Sequence, residues 1–238
     1  MRLGRRRVRT VRRRSPDQKR ERSGDAAACV CRRDVVVLIA AVAAHPLCAA
    51  ASCLAHDTPL TPAALQRGHH AFDSLAASAL RLPPHERLSF VNDHVNQQVE
   101  PQPDEPGHDH WATPFETLAR GAGDCEDVAI AKFFLLRASG VPLAELRLVY
   151  AWHQRPETPA RRRAHMVAVA RHPFQDPWVL DTINLLVVPM SLRDDLVPVF
   201  SFDEQWLWPR IDGRPLPPQR SALLPWRGLL TRWDSQLH

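Results

Sequence analysis

Apolar residues in the first half of the chain recur at the three- and four-residue spacing of amphipathic helices. Residues 61–80 begin with a threonine and a proline, which are typical of a helix start, and their apolar side chains share one face. Residues 85–99 repeat the spacing after a break at two prolines. Residues 100–110 are acidic and proline-rich, which predicts a surface loop, and residues 111–118 predict a short helical turn.

A turn with two glycines at residues 121–127 leads into the most apolar segment of the chain, residues 128–136. Asp124 is a favourable helix N-cap, and Asp127, three residues later, can reach back as in a capping box. Cys125 then occupies the first helical position, where unpaired N–H groups and the helix dipole favour a thiolate. Thiol hydrolases keep their nucleophile in such a position, but a lone cysteine is more commonly a small buried apolar residue.

After this helix the apolar period changes from 3.6 to 2, which predicts strands. The strands are expected at residues 146–152, 164–170, 178–181 and 197–202. The C-terminal part is rich in proline and tryptophan and is expected to wrap the sheet as loop and short helix. The pattern therefore predicts an α+β fold, in which N-terminal helices and a central helix pack on a small antiparallel sheet.

The basic charge of the chain lies in its first residues. Residues 1–34 contain 13 Arg and Lys and four acidic residues, so the rest of the chain contains 18 basic and 22 acidic residues. A role in nucleic-acid binding would therefore depend on a segment that need not belong to the fold.

Residues 1–55 have the three parts of a secretory signal. A basic region precedes about ten apolar residues at 35–44, and small residues that suit cleavage follow. This predicts export, with an uncleaved membrane anchor as the alternative, and it assigns residues 56–238 to one domain. The basic region is unusually long, so the true start of the protein can lie after Met1.

Cys125 is the only cysteine in the predicted domain, because the other four lie at residues 29, 31, 48 and 53. An exported domain with one thiol has no internal disulfide, and an unused thiol in an oxidising compartment is a liability. The export prediction therefore strengthens the catalytic interpretation of Cys125.

Two residues on neighbouring predicted strands can complete a catalytic site. A hairpin turn at Pro173 would bring His165 and Asp181 side by side, because each lies about eight residues from the turn. If His165 faces the central helix, its imidazole can take the proton of Cys125, and Asp181 can orient the imidazole. Taken separately, His165 could be a structural strand residue and Asp181 a turn residue.

Three carboxylates surround the predicted thiol and oppose its ionisation. Asp124, Glu126 and Asp127 flank Cys125, and their negative charges should raise its pKa. A bound cation would cancel them, and carboxylate oxygens suit Ca²⁺ better than Zn²⁺. The alternative is that Asp124 caps the helix, Asp127 completes a capping box and Glu126 is solvated.

Other polar clusters favour solvated surfaces. The histidines at 69, 70, 85 and 94 have no spacing that suggests a shared metal, and His108, Asp109 and His110 lie in a predicted loop. Residues 161–163 are three consecutive arginines, for which a solvated face is favoured over binding of an acidic partner.

The chain resembles the bacterial transglutaminase-like cysteine proteases of the LapG type. The resemblance rests on G-x-G-D-C-E-D at residues 121–127, A-H-M-V at 164–167, and Leu180-Asp181, and it covers roughly residues 65–210. The basic leader and an insertion at residues 157–163 depart from the family pattern.

The resemblance implies a papain/transglutaminase-like fold with Cys125, His165 and Asp181 as a triad in the periplasm. It also implies calcium dependence through Asp124 and Glu126. Family members clip the N-terminal region of a large surface adhesin at a di-alanine site, which releases biofilm cells. An inner-membrane cyclic-di-GMP receptor inhibits them by sequestration.

Two other functions remain open from the sequence. The same thioester could be transferred to an amine, as in a transglutaminase-like acyl transferase. A catalytically silent papain-like module could instead only bind a membrane partner, although such a module has no need of all three triad residues.

Overall fold

The computed structural model describes residues 59–104, 109–154, 161–171, 176–209, 214–216 and 223–238. Outside these residues lie the predicted leader, His108 of the acidic loop, residues 157–160 of the insertion and Pro173 of the predicted turn. In the part of the chain that is described, no helix is both long and apolar enough to cross a membrane.

Five helices precede, separate and follow the strands of the described fold. The first begins as predicted, because Thr61 caps it and accepts a hydrogen bond from the Ala64 N–H at 3.2 Å. The helices are α1 (Pro62–Leu80), α2 (Pro84–Gln98), α3 (Pro114–Arg120), α4 (Cys125–Ala138) and α5 (Leu224–Gln236). Short 3-10 turns lie at Leu143–Glu145 and Met190–Leu192.

The main sheet has six antiparallel strands in the order β6-β5-β4-β3-β7-β8, and β1 and β2 form a separate parallel pair. The four predicted strands are present within a few residues, whereas β1, β2, β6 and β8 were not predicted because each has only two residues. The strands are β1 (Glu100–Pro101), β2 (Ala122–Gly123), β3 (Leu146–Gln154), β4 (Arg162–Ala170), β5 (Trp178–Leu180), β6 (Val188–Pro189), β7 (Leu196–Phe202) and β8 (Leu207–Trp208).

Helix α4 is the centre of the fold. It contacts β3 and β4 on one side and helices α1, α2 and α3 on the other. All of its residues from 126 to 136 are buried. This position explains why the segment is apolar around its whole circumference, since both sides face protein.

The two faces of the sheet bury different sets of side chains. The face toward α4 contributes to the main core, and the opposite face carries a smaller apolar cluster. Residues alternate between the faces along each strand. The smaller cluster consists of Val149, Ala151, Val167, Val169, Val179 and Leu196, with Met190 packed against it.

Helix α5 closes the helical side of the fold, where the sequence predicted loop and a short helix. The Trp233 ring stacks on that of Phe115 with centroids 4.6 Å apart, and Trp226 is fully buried. A polar contact adds to this packing, because Gln236 Nε2 donates to Glu116 Oε1 at 2.9 Å.

Glu116 is expected to stabilise the fold through its charge. Burial would raise its pKa, but His110 Nε2 at 3.7 Å, hydrogen bonds from Thr113 and Gln236 and the charge of Arg232 lower it to about 2. The folded protein therefore holds this proton more weakly than the unfolded chain does. The resulting stabilisation is complete above the unfolded pKa, near 4.5, and is lost as the pH falls toward 2.

Glu116→Gln should therefore lower the free energy of unfolding by about 3 kcal/mol at neutral pH. The loss should shrink as the pH falls below about 4, which urea unfolding at several pH values would measure. Glu86→Gln is the matched control, because the Glu86 side chain is 54% exposed. Equal losses in both variants, or a loss at Glu116 that does not change with pH, would contradict the electrostatic explanation.

Candidate active site

Cys125 begins helix α4, as the sequence predicts. Asp124 caps the helix, because its Oδ1 accepts hydrogen bonds from the N–H groups of Glu126 at 3.0 Å and Asp127 at 3.1 Å. Asp127 does not reach back to complete a capping box. Its Oδ1 accepts instead from the Ala112 N–H at 2.7 Å, which ties the helix start to the segment before α3.

Two glycines allow the chain to pass from α3 into α4. Gly121 ends α3 with φ at 65°, a left-handed conformation that favours glycine. Gly123 is needed for space, because a Cβ at this position would lie 2.8 Å from the Cβ of Asp127. The motif thus lets the Asp127 side chain pack directly against the backbone before Cys125.

The thiol of Cys125 is partly buried and donates a hydrogen bond to Glu126 Oε2 at 2.8 Å. Burial raises its pKa well above the usual value, and the charges of Glu126 and Asp124 raise it further, while a backbone hydrogen bond from Met166 acts in the opposite direction. The thiol is therefore protonated at neutral pH in this arrangement. Burial, together with the neighbouring carboxylates, thus opposes the thiolate that the helix dipole would favour.

His165 and Asp181 form the predicted contact. His165 lies in β4 and Asp181 directly follows β5, and the imidazole Nε2 is 2.6 Å from Asp181 Oδ1. Both side chains are buried, with exposed fractions of 4% and 0%. Ala168 of β4 pairs with Leu180 of β5, so the antiparallel register places Asp181 opposite Val167 and diagonal to His165 on the same face of the sheet.

His165 does not face the central helix, which was the condition under which its imidazole could take the proton of Cys125. It pairs in register with Ala151, which belongs to the smaller apolar cluster on the opposite face of the sheet. No hydrogen bond joins the His165 ring to the Cys125 thiol, although both residues are described.

Asp181 is fixed by donors on both carboxylate oxygens. Oδ1 accepts from the backbone N–H groups of Thr182 at 2.6 Å and Ile183 at 3.2 Å in addition to the contact with His165. Oδ2 accepts from Arg193 Nη2 at 2.6 Å. Burial would raise the pKa of Asp181, but the hydrogen bond and charge of His165 and the charge of Arg193 hold it well below its usual range.

A buried polar group behind the site holds the backbone of Asp181. The Lys132 Nζ donates to Asp181 O and to Asn92 Oδ1, each at 2.9 Å, and Asn96 Nδ2 also donates to Asp181 O at 2.9 Å. Burial lowers the pKa of Lys132 to about 7 despite the opposing charges of Asp181 and Asp93. Helices α2 and α4 thus fix the end of β5 in position.

The three predicted metal ligands have different surroundings. The Glu126 carboxylate accepts from the thiol and Asp124 caps α4, while Asp127 is fully buried with an Oδ2 that has no hydrogen-bond partner among the described residues. Burial raises the pKa of Asp124 and of Asp127, and the charges of Glu126 and Asp104 raise both further. Over the described ranges, no group of three or more His, Cys, Asp or Glu has the arrangement of a metal site.

Comparison with known proteins assigns the family. The model for bacterial transglutaminase-like cysteine proteinases matches residues 71–192, which is about half of the chain. The chain belongs to this family. No match was found among curated proteins.

Solved structures of Legionella pneumophila LapG have the same fold as this proteinase. One is 29% identical over 84% of this chain and 96% of LapG, with a TM-score of 0.59. An EGTA-treated form is 28% identical over 84% and 96% of the two chains, with a TM-score of 0.61. A calcium-bound form is 30% identical over 83% and 98%, with a TM-score of 0.59.

Several residues of the proteinase site were not predicted from the sequence. Lys132 carried a usable signal, because it is the one charged side chain in the apolar segment 128–136. Asn92, Arg193 and Asp104 carried none, since each lies in a polar stretch, and even Arg193 is 12 residues along the chain from Asp181. Only the packing of the elements brings them to the site.

Proposed function

We propose that this proteinase is a calcium-dependent periplasmic endopeptidase that cleaves the N-terminal region of a large surface adhesin. In this proposal Cys125 is the nucleophile, His165 the base and Asp181 the residue that orients the base. The observation that carries it is the buried 2.6 Å contact between His165 Nε2 and Asp181 Oδ1.

The contact between His165 and Asp181 assigns the roles of the two ring nitrogens. Because Nε2 is held by Asp181 Oδ1, Nδ1 is the nitrogen that takes the proton from Cys125 Sγ. The resulting imidazolium is stabilised by the Asp181 carboxylate, which stays ionised because its pKa is low. The ring must move toward the thiol, since no hydrogen bond joins them at present.

Acyl transfer then proceeds in two steps. The thiolate attacks the peptide carbonyl, and the Cys125 N–H at the start of α4 stabilises the oxyanion. His165 protonates the departing amine, leaving an acyl group on Cys125 as a thioester. His165 next removes a proton from water, which hydrolyses the thioester and restores the thiol.

The carboxylates near the thiol have the oxygen chemistry that calcium requires, although among the described residues they are not arranged as a metal site. Within that part of the chain the buried Asp127 Oδ2 has no hydrogen-bond donor, and the charges of Asp104 and Asp127 raise the pKa of Asp124. Asp104, Asp124 and Asp127 would hold the ion through oxygen atoms, as Ca²⁺ requires. When bound, the ion supplies positive charge that offsets the carboxylates and so favours the thiolate.

Glu126 has a different role in this proposal. Its carboxylate accepts the thiol hydrogen, so in the present arrangement it competes with His165 for that proton. The sequence prediction of Glu126 as a calcium ligand stays open, because nothing in the described residues tests it. A Glu126 drawn away from the thiol would leave the proton to His165.

Cleavage of an adhesin fragment tests the proposal. The protein would be incubated with the N-terminal region of a large adhesin, with calcium and with a chelator. Two fragments that form only with calcium, and that disappear when the di-alanine site of the fragment is replaced, are the expected result. A crosslinked adduct with an added amine would indicate acyl transfer, and binding without a product would indicate a catalytically silent module. Either outcome would overturn the protease assignment.

Localisation and regulation complete the proposal. The leader predicted at residues 1–55 would direct the protein to the periplasm, and an inner-membrane cyclic-di-GMP receptor would inhibit it by sequestration. Mass spectrometry of the protein recovered from periplasm should find a new N-terminus near residues 49–55. A protein recovered only from cytoplasm with the leader intact would contradict this part of the proposal.

A further inference from the structure

Arg193 is a buried residue beyond the three proposed catalytic groups. It follows the 3-10 turn Met190–Leu192, and only 1% of its side chain is exposed. Its Nη2 donates to Asp181 Oδ2 at 2.6 Å and to Asp195 Oδ2 at 2.8 Å, and its Nε donates to Asp195 Oδ1 at 2.8 Å. The guanidinium thus bridges the carboxylate behind His165 and a second carboxylate.

The two oxygens of the Asp181 carboxylate accept hydrogen bonds from different donors. Oδ1 serves His165 and two backbone N–H groups, whereas Arg193 is the only donor that the described structure gives to Oδ2. A carboxylate held at only one oxygen can turn about its Cβ–Cγ bond, and a buried oxygen without a donor favours protonation. Both changes would disturb the contact with His165.

We propose that Arg193 is a positioning residue that holds the Asp181 carboxylate in the orientation His165 requires. This inference rests on the triad of the proposed function. Arg193 touches neither the thiol nor a substrate carbonyl, and it acts through Asp181. A lysine could not replace it fully, because one ammonium group cannot reproduce the planar set of donors that spans two carboxylates.

Other charged or titratable groups near Asp181 are unchanged when Arg193 is replaced. Lys132 binds the backbone oxygen of Asp181, not its carboxylate. His153 Nε2 lies 3.5 Å from Asp195 Oδ2. The ring centroids of His153 and His165 are 6.1 Å apart. Each of these groups remains when Arg193 is replaced, so a change in titration can be assigned to the missing guanidinium.

The expected effect is a shift in the pH dependence of Cys125 alkylation. The acidic limb of this profile is the pH range in which the alkylation rate rises as the pH is raised. Without Arg193, burial would raise the pKa of Asp181, so its proton would be taken up at higher pH. His165 would then lose its negative partner, and the thiolate–imidazolium pair would form only at higher pH. For Arg193→Met we expect the acidic limb to rise by about one pH unit or more.

Alkylation of Cys125 by iodoacetamide as a function of pH is the test, with calcium in the buffer. Arg193→Met is compared with Arg193→Lys, which should show a smaller upward shift. Arg87→Met is the matched control, because Arg87 is a partly buried arginine that donates only to backbone oxygens of Leu80, Leu82 and Ser139. It should lower stability without moving the limb.

The outcomes separate this inference from the proposed function. A limb shift in Arg193→Met that Arg87→Met lacks supports the positioning role. Unchanged limbs, or equal shifts in both variants, overturn it. If Arg193→Met does not fold, Arg193→Lys decides, and an unchanged limb there overturns the role as well. Because alkylation needs no adhesin, a wild-type protein that is alkylated but cleaves nothing would refute the proposed substrate and leave this result intact.

Discussion

Replacing Cys125 with alanine is expected to abolish peptide-bond cleavage and leave the fold nearly unchanged. Without sulfur no thioester can form, so the rate should fall at least about a thousand-fold. The helix start should persist, because Asp124 caps it through the N–H groups of Glu126 and Asp127, which do not depend on the thiol. Stability should change by about 1 kcal/mol or less, since one partly buried hydrogen bond to Glu126 is lost.

Cys125→Ser is the matched control for this prediction. Its hydroxyl can keep the hydrogen bond to Glu126 but is a far weaker nucleophile next to an imidazole placed for a thiol. Both variants should therefore bind the adhesin fragment and fail to cleave it. Gel analysis of cleavage and thermal unfolding together check this, and cleavage by Cys125→Ala within tenfold of wild type would remove Cys125 from the mechanism.

Replacing Asp127 with asparagine is expected to change stability in opposite directions with and without calcium. In a chelator the variant should be more stable than wild type, because a buried carboxylate near Asp104 and Glu126 is replaced by a neutral group of the same size. The asparagine oxygen can still accept from the Ala112 N–H. We expect a gain of about 1 kcal/mol, or roughly 3 °C in the melting temperature.

In calcium the order should reverse. Wild type gains stability from a ligand that binds only the folded protein, whereas the variant lacks the carboxylate oxygen that has no donor in the present structure. The calcium-induced rise in melting temperature should therefore be small or absent in Asp127→Asn, and cleavage should fall with it. Thermal unfolding with calcium and with EGTA measures both effects.

Asp73→Asn on the exposed surface of α1 is the control, and it should follow wild type in both buffers. An Asp127→Asn protein that keeps the full calcium response would refute the proposed site. A variant less stable than wild type in the chelator would show that the Asp127 carboxylate stabilises the apo fold and is not a strained charge.

The opposing requirements at Cys125 explain why the surroundings of the thiol are acidic. Carboxylates that can hold a cation necessarily raise the thiol pKa when no cation is present. A proteinase built this way would be weakly reactive without calcium and more reactive with it. The proposed calcium dependence thus follows from the charges on α4 and needs no large conformational change.

The sequence by itself determined the helices and longer strands of this protein. It also determined the contact between residues on two neighbouring antiparallel strands. The helix caps at Thr61 and Asp124, the central helix and the four longer strands follow local patterns of period 3.6 and 2. The contact between His165 and Asp181 was also predictable, because an antiparallel hairpin fixes which residues are neighbours. Two-residue strands were not predictable, since no period can be read from two positions.

The tertiary structure alone decided the surroundings of these residues. It placed His165 on the sheet face away from α4, gave the thiol proton to Glu126, and brought Arg193 to Asp181. Each of these depends on how elements distant in sequence pack against one another. Local sequence patterns indicate which face of a helix or strand is apolar. They do not indicate which charged side chain from a distant element will lie next to a given thiol or carboxylate, although that charge shifts its pKa.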